Sequence, residues 1–272
     1  MGSVIISQLA IYPVKSLRQV IVQSASIDMC GLQHDRRWMV VDAQGQMLTQ
    51  RKMPRMCLVQ PELKNGGLYL QTATMPPLVV SNPLINTKRM VTVWKDSCGA
   101  LDCGDDAAQW LSRFLEVECR LVYFPDDEVR DVDQDYAQPG DRTAFSDGFP
   151  VLLTSQPSLD DLNSRITSSG GSVPMARFRP NIVVAGCAPY AEDGWKVLKI
   201  GELVLRIVKP CSRCVIPGID IATGERGEEP TRTLLKYRKR GNKIYFGQNA
   251  IVDAMTDGKS EIKTGMAVEI LE

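Results

Sequence analysis

The chain has 272 residues, 44% of them apolar, and balances 32 Lys+Arg against 32 Asp+Glu. That length suits one large domain or two ordinary ones, and zero formal charge argues against nucleic acid or an anionic membrane as the main partner while allowing a local basic pocket. No apolar run approaches the ~20 residues that span a bilayer, and the amino terminus lacks a signal-peptide profile, so a cytoplasmic protein with no transmembrane segment is expected.

Val4–Ile11 is a mostly apolar strand that ends at Tyr12-Pro13-Val14-Lys15-Ser16, with alternating Gln19–Ile27 as its partner. Arg37–Val41 and Gln46–Thr49 flank the turn Asp42-Ala43-Gln44-Gly45 and predict a hairpin. Met56–Val59, Leu68–Gln71, Leu78–Val80 and Val91–Trp94 read as short strands between Gly, Pro and Asn breaks. Asp105–Leu115 repeats apolar residues at helical spacing and opens on two aspartates that suit the helix dipole. Arg120–Phe124 returns as a strand, and the polar, Pro/Gly-punctuated stretch 125–141 marks a boundary or long surface loop.

Beyond it, Pro150–Thr154 is an apolar strand, Ser158–Ile166 a short helix, and Gly170-Gly171 a break. Asn181–Ala185, Val197–Ile200 and Leu203–Val208 are strands, the last expected to stop at Pro210, which cannot donate to a ladder. Thr231–Arg240 reads as a helix; Ile244–Phe246, Ala250–Val252 and Ala267–Leu271 complete the strands. Many short strands with few helices predict a β-rich α+β fold, barrel-like with attached helices.

The eight cysteines lack the spacing of a secreted disulfide framework, and Cys57, Cys119 and Cys187 lie in or beside apolar runs as small core residues. His34 is the only histidine, which excludes multi-histidine zinc and iron sites and leaves it a surface or structural residue on a turn. The informative pair is Cys211-Ser212-Arg213-Cys214. It could be half of a zinc site completed by Cys98 and Cys103, a redox dithiol, or inert buried cysteine. It could also hold a single thiolate ligand to a soft or high-valent metal, with Arg213 binding an anionic cofactor group. A dithiol of the thioredoxin kind needs a helix to start there, whereas Pro217-Gly218 follows; an unpaired arginine argues against a dry site. Lys15-Ser16, Asp35-Arg36-Arg37-Trp38 and Arg177-Phe178-Arg179-Pro180-Asn181 each place cations at a strand edge, where donors can converge on a phosphate.

Tyr-Pro-Val-Lys-Ser at 12–16, Asp-Arg-Arg-Trp at 35–38, Phe-Arg-Pro-Asn at 178–181, Cys-Ser-Arg-Cys at 211–214 and Phe-Gly-Gln-Asn at 246–249 occur in that order. Together they resemble the MOSC-domain family, in particular its YcbX-type and amidoxime-reducing-component branch. The resemblance implies an amino-terminal β-barrel-like domain over residues 1–123 and a MOSC domain over 124–272. It further implies a molybdenum–molybdopterin cofactor (Moco) with Cys214 as the metal ligand. Lys15, Ser16, Arg36, Arg179, Asn181, Ser212 and Arg213 would hold the cofactor's phosphate and pterin, with Asn249 as a further contact and Asp147 near the metal as a candidate catalytic proton-path group. The implied activity is reduction of small N-hydroxylated compounds such as amidoximes, hydroxylamines and N-hydroxylated bases. The alternative is a cofactor or sulfur carrier using the same cysteine. No plant-type four-cysteine set, as in the ferredoxin domain of some relatives, occurs within residues 1–272, so no Fe–S cluster is expected in this stretch, and electrons are expected either from a separate protein or from a tail beyond Glu272.

Overall fold

The computed structural model describes residues 3–80, 88–167, 171–255 and 260–272. The first half of the chain carries β1 (Ile5–Ile11), β2 (Val20–Val22), β3 (Ser24–Asp28), β4 (Gly31–Leu32), β5 (Trp38–Asp42), β6 (Gln60–Lys64), β7 (Gly67–Gln71), β8 (Leu78–Val80), β9 (Lys88–Val93), β10 (Asp96–Asp102), α1 (Asp105–Leu115) and β11 (Cys119–Tyr123). The second half carries β12 (Val151–Ser155), α2 (Gln156–Arg165), β13 (Ile182–Ala185), β14 (Val197–Ile200), β15 (Leu203–Ser212), α3 (Thr231–Tyr237), β16 (Lys239–Arg240), β17 (Lys243–Met255), β18 (Ser260–Lys263) and β19 (Glu269–Ile270).

The largest sheet runs β19-β14-β15-β17-β12-β13-β1-β2. Its ladder returns to β1: Ile6 N–H donates to Met266 O, Gly265 N–H to Ile6 O and Val268 N–H to Val4 O, just before β19. This closure makes a barrel and removes open edges. The sequence supports it by period-2 alternation. Val151 and Leu153, Ile182 and Val184, Leu198 and Ile200, and Leu203 and Leu205 fill one shared core with Ile6 and Leu9. Outside the barrel, α2 and α3 bury Leu159, Leu162 and Leu234 against Val183, Ile244 and the stacked rings of Phe178 and Phe246.

The first four strands belong to sheets of the second half, because β1 and β2 join the barrel, β3 pairs with β18 and β4 pairs with β3. From residue 38 onward the first half builds its own body. The sheet β5-β11-β10-β9 buries Val40 and Leu121 against α1 on one face and Met39, Val41 and Val122 on the other. Helix α1 has the bounds its periodicity predicts, with Asp105 and Asp106 in its first turn and Glu116 ending it in a left-handed conformation.

Several elements differ from the sequence expectation for identifiable reasons. Met56–Val59 is not a strand; Pro54 starts a short 3-10 turn over Pro54–Leu58. Gln19–Ile27 is split, since β2 pairs with β1 and β3 crosses to β18. Strand β15 does not stop at Pro210 but runs to Ser212. It pairs with β14 only as far as Arg206, so Pro210 lies where that edge carries no partner strand and the missing N–H costs no ladder bond. Helix α3 ends at Tyr237, and Lys239-Arg240 form β16. The two short runs around Gly247 are one strand, β17. The expected break at Gly170 lies outside the described residues.

Gly247 shows why that strand needs a glycine. Its φ is +78°, and an added Cβ would lie 2.7 Å from Thr154 Cγ2 and 2.8 Å from Leu153 O. We therefore expect Gly247→Ala to lower stability by about 2 kcal/mol, a fall of roughly 5 °C in melting temperature measured by calorimetry.

Candidate functional site

The turn after β1, the turn before β5, the segment before β13 and the end of β15 meet at a single cleft of about 360 Å³. All ten residues singled out from the sequence line it: Lys15, Ser16, Arg36, Asp147, Arg179, Asn181, Ser212, Arg213, Cys214 and Asn249. Six cationic side chains (Lys15, Arg36, Arg51, Arg179, Lys209 and Arg213) face two carboxylates, Asp133 and Asp147.

Asn181 ties the floor together. It is buried, its Nδ2 donates to Ala10 O at 3.3 Å, and its Oδ1 accepts from Leu152 N–H at 3.1 Å and Arg36 Nη1 at 3.0 Å. Arg36 also pairs with buried Asp35, whose other oxygen accepts Tyr12 N–H at 2.7 Å. The guanidinium carbons of Arg36 and Arg179 both lie 4.2 Å from the Tyr12 ring centroid, a cation–π arrangement. Burial pushes the Tyr12 hydroxyl up to about 12, against the pull of Arg179 and Arg36, so the ring is neutral. Arg179 donates to Leu17 O at 2.6 Å and has no carboxylate partner among the described residues. Its walled-in position brings the guanidinium down to about 10 through desolvation, still fully charged at neutral pH.

Lys15 is 5% exposed, and its Nζ donates to Phe145 O at 2.7 Å and Asp147 Oδ1 at 2.5 Å. Burial dominates at Lys15 and lowers its pKa, with Asp147 opposing. At Asp147 the cleft walls would raise the pKa, but Lys15, the Trp94 indole N–H and Arg51 together hold it below the usual carboxylate range. The partners differ because Lys15 is sealed in while the Asp147 side chain is 60% exposed, and Asp147 is ionised at neutral pH.

The two cysteines divide their contacts. Arg213 Nη1 lies 2.9 Å from Cys211 Sγ, and Nη2 donates to Phe178 O at 2.6 Å, while Arg213 Nε is buried without a partner. The arginine therefore engages the first thiol. The half-buried Cys214 has no hydrogen-bond partner among the described residues, and it borders the cleft. Cys98 and Cys103 are buried in the two cores of the first half, away from the cleft lining, so they do not complete a zinc site with Cys211 and Cys214.

Ser16 (φ 67°), Arg36 (φ 49°), Trp94 (φ 58°) and Arg179 (φ 59°) are four of the eight non-glycine residues with left-handed backbone among the described residues, and all four line the cleft. Such strain concentrates at functional sites. The sequence reading missed Arg51, Trp94 and Lys209 as cleft residues. In the sequence Lys209 and Arg51 are single cations beside predicted strand ends, and Trp94 closes the predicted strand Val91–Trp94.

A cationic, thiol-bearing cleft at the rim of a closed β-barrel, roofed by a second β-rich body, defines the class. Residues 3–118 match the MOSC N-terminal beta barrel domain and residues 140–269 the MOSC domain. The chain belongs to the MOSC family. It is 38% identical over 244 residues to mitochondrial amidoxime-reducing component 1 of Mus musculus, covering 86% of this chain and 71% of that protein. The Homo sapiens protein of the same name is 36% identical over 285 residues, with 98% of this chain and 82% of that one covered. Molybdenum cofactor sulfurase of Oryza sativa subsp. japonica is 29% identical over 97% of this chain, which spans 34% of that longer protein.

The Lys15–Asp147 pair predicts an acid signature. A carboxyl whose folded pKa lies below its ordinary 3.8 stabilises the fold above that pH and loses the contribution as pH falls through the lower folded value. The stability difference between wild type and Asp147→Asn should stay constant above about pH 4 and close below it, read as melting temperature against pH.

Proposed function

We propose that this chain is a Moco-dependent reductase of N-hydroxylated compounds, with the Cys214 thiolate ligating molybdenum and electrons arriving from a separate redox protein. The observation that carries this reading is the meeting of six cationic side chains, from five segments of both halves, around an uncommitted thiol. The names of the mouse and human relatives support the substrate class.

The residues present suit such a group. Arg179 lacks a carboxylate partner among the described residues, and Arg51 Nε and Arg213 Nε are buried without partners. Several guanidinium groups crowded into a half-buried cleft repel one another and favour an anion between them. A pterin phosphate and a dithiolene are such anions, and guanidinium forks match phosphate oxygens. Arg36, Arg179, Ser16 and Lys15 would hold the charged end, while Ser212 and Arg213 adjoin the thiol in the chain and Asn249, opposite Lys209, lines the same cleft. Asn181 spends its amide within the protein, so its part is to position Arg36. When bound, the cofactor supplies the two-electron chemistry that cleaves an N–O bond. The chain holds it, provides the thiolate and keeps an ionised carboxylate, Asp147, at the mouth, hydrogen-bonded to the buried Lys15 behind it. Lys15 is hydrogen-bonded to Asp147 and reduced in basicity by burial, which puts a polar, proton-bearing group next to that carboxylate.

The second reading is a cofactor or sulfur carrier, favoured by the match of nearly the whole chain to part of the rice sulfurase. Both readings require Cys214, and composition separates them. Freshly purified protein is expected to contain stoichiometric molybdenum and pterin and to reduce benzamidoxime with an artificial electron donor. Cys214→Ser should lose both molybdenum and turnover, and Arg179→Met should weaken cofactor retention by about tenfold, the worth of one charge-assisted contact. Persulfide on Cys214 without molybdenum would replace the reductase reading with the carrier.

A further inference from the structure

The turn joining β9 and β10 is Trp94-Lys95. Tight two-residue turns that need positive φ favour Gly, Asn or Asp. Here the residue at φ 58° is a tryptophan, 41% exposed, at the tip of a hairpin of the first half. Neither local geometry nor core packing calls for it. Its indole N–H leaves its own hairpin and donates to Asp147 Oδ1 at 3.1 Å, across the cleft boundary. Arg51 lies over the ring with its guanidinium carbon 4.3 Å from the centroid, so part of the indole is covered and the rest is open.

Asp147 completes the arrangement. Its Oδ1 is occupied by Lys15 and Trp94. Its Oδ2 has Arg51 Nη2 at 3.9 Å and no hydrogen-bond donor among the described residues. A carboxylate oxygen without a donor, beside an exposed aromatic plane, is a matched pair for a flat ligand that carries an N–H at its edge. The plane contributes stacking and the oxygen fixes orientation.

We propose that Trp94 and Asp147 form a recognition subsite for planar, ring-bearing N-hydroxylated amidines. The ligand ring lies on the open indole surface, and the amino group next to the N–O carbon donates to Asp147 Oδ2. This rests on the reductase reading of the cleft and adds a preference within it: ring-bearing amidoximes over bare hydroxylamine, which has no plane to stack. Lys15 and the indole N–H keep Oδ1 engaged, which leaves Oδ2 as the oxygen presented to substrate. Trp94 is thus a specificity residue and Asp147 a substrate-orienting one.

The test is calorimetric titration of benzamidoxime into the oxidised, as-isolated protein without an electron donor, so that binding is read apart from turnover. Trp94→Ala should weaken binding at least tenfold, about 1.4 kcal/mol. Trp94→Phe, which keeps a ring, should recover most of that loss. Asp147→Asn should weaken binding as well. Trp94→Gly should bind as poorly as Trp94→Ala while melting no lower than wild type, because the turn conformation suits glycine. In turnover, the kcat/KM ratio of benzamidoxime to hydroxylamine should fall about tenfold in Trp94→Ala, in line with the loss of one stacking contact. Unchanged benzamidoxime binding in Trp94→Ala would overturn the subsite, as would equal weakening in Trp94→Phe. Ring-dependent binding without any turnover would uphold the subsite and remove the reductase reading; turnover with binding indifferent to Trp94 would do the reverse.

Discussion

The side-chain amide of Asn181 is the tie on which the cleft depends. It reaches β1 through Ala10, β12 through Leu152 and the turn before β5 through Arg36. Three segments far apart in the chain are thereby held in one register before any ligand is present. Parallel pairing of β12 with β13 and antiparallel pairing of β1 with β13 bring the backbones close, and the amide then fixes the arginine. A buried amide with its bonds satisfied by partners on different segments specifies one arrangement rather than many. The barrel core supplies most of the folding energy, but it is indifferent to where Arg36 points.

What that tie assembles is electrostatically incomplete. Asp35 answers Arg36 and Asp147 answers Lys15, but among the described residues the Arg179 guanidinium has only a carbonyl and the Tyr12 ring. Four cleft residues also hold left-handed backbone without being glycine. Both features cost stability in the free protein, and both persist because the surrounding barrel over-determines them. An anionic ligand would repay the charge term by binding the folded state alone, which links occupancy of the cleft to the stability of the whole chain.

Much of this was legible in the chain. Helix α1 has the bounds its apolar spacing gives, and β14 does too, because burial on one face writes a clear period. Lys15, Arg36, Arg179, Arg213 and Cys214 were marked as cations and a thiol at strand ends, with Ser16, Asn181 and Ser212 beside them, whereas Asp147 and Asn249 stood out only through the family resemblance. The pairing that unites them was not legible, since β1 and β2 leave the first half and no local pattern states a partner 170 residues away. Pro210 misled for a related reason. A proline stops a strand only where its N–H would have been used, and the edge position that spares it is a tertiary fact. Trp94 escaped notice because a tryptophan closing a run of β-branched residues looks like one more strand position.

The two thiols of Cys-Ser-Arg-Cys look equivalent in sequence, and the fold makes them different. Strand β15 carries Cys211 within its last residues, so its backbone is set by the pairing with β17, and Arg213 closes over it while bonding to Phe178. Phe178 stacks on Phe246 at 4.1 Å, which anchors the arginine's carbonyl partner to the packed wall under α2 and α3. Cys214 lies beyond the strand end, bordering the cleft and with no donor committed to it among the described residues. A guanidinium on Cys214 would compete with any metal for the same sulfur lone pairs. With Arg213 engaged on the first thiol, the motif keeps positive charge close while the second sulfur stays uncommitted.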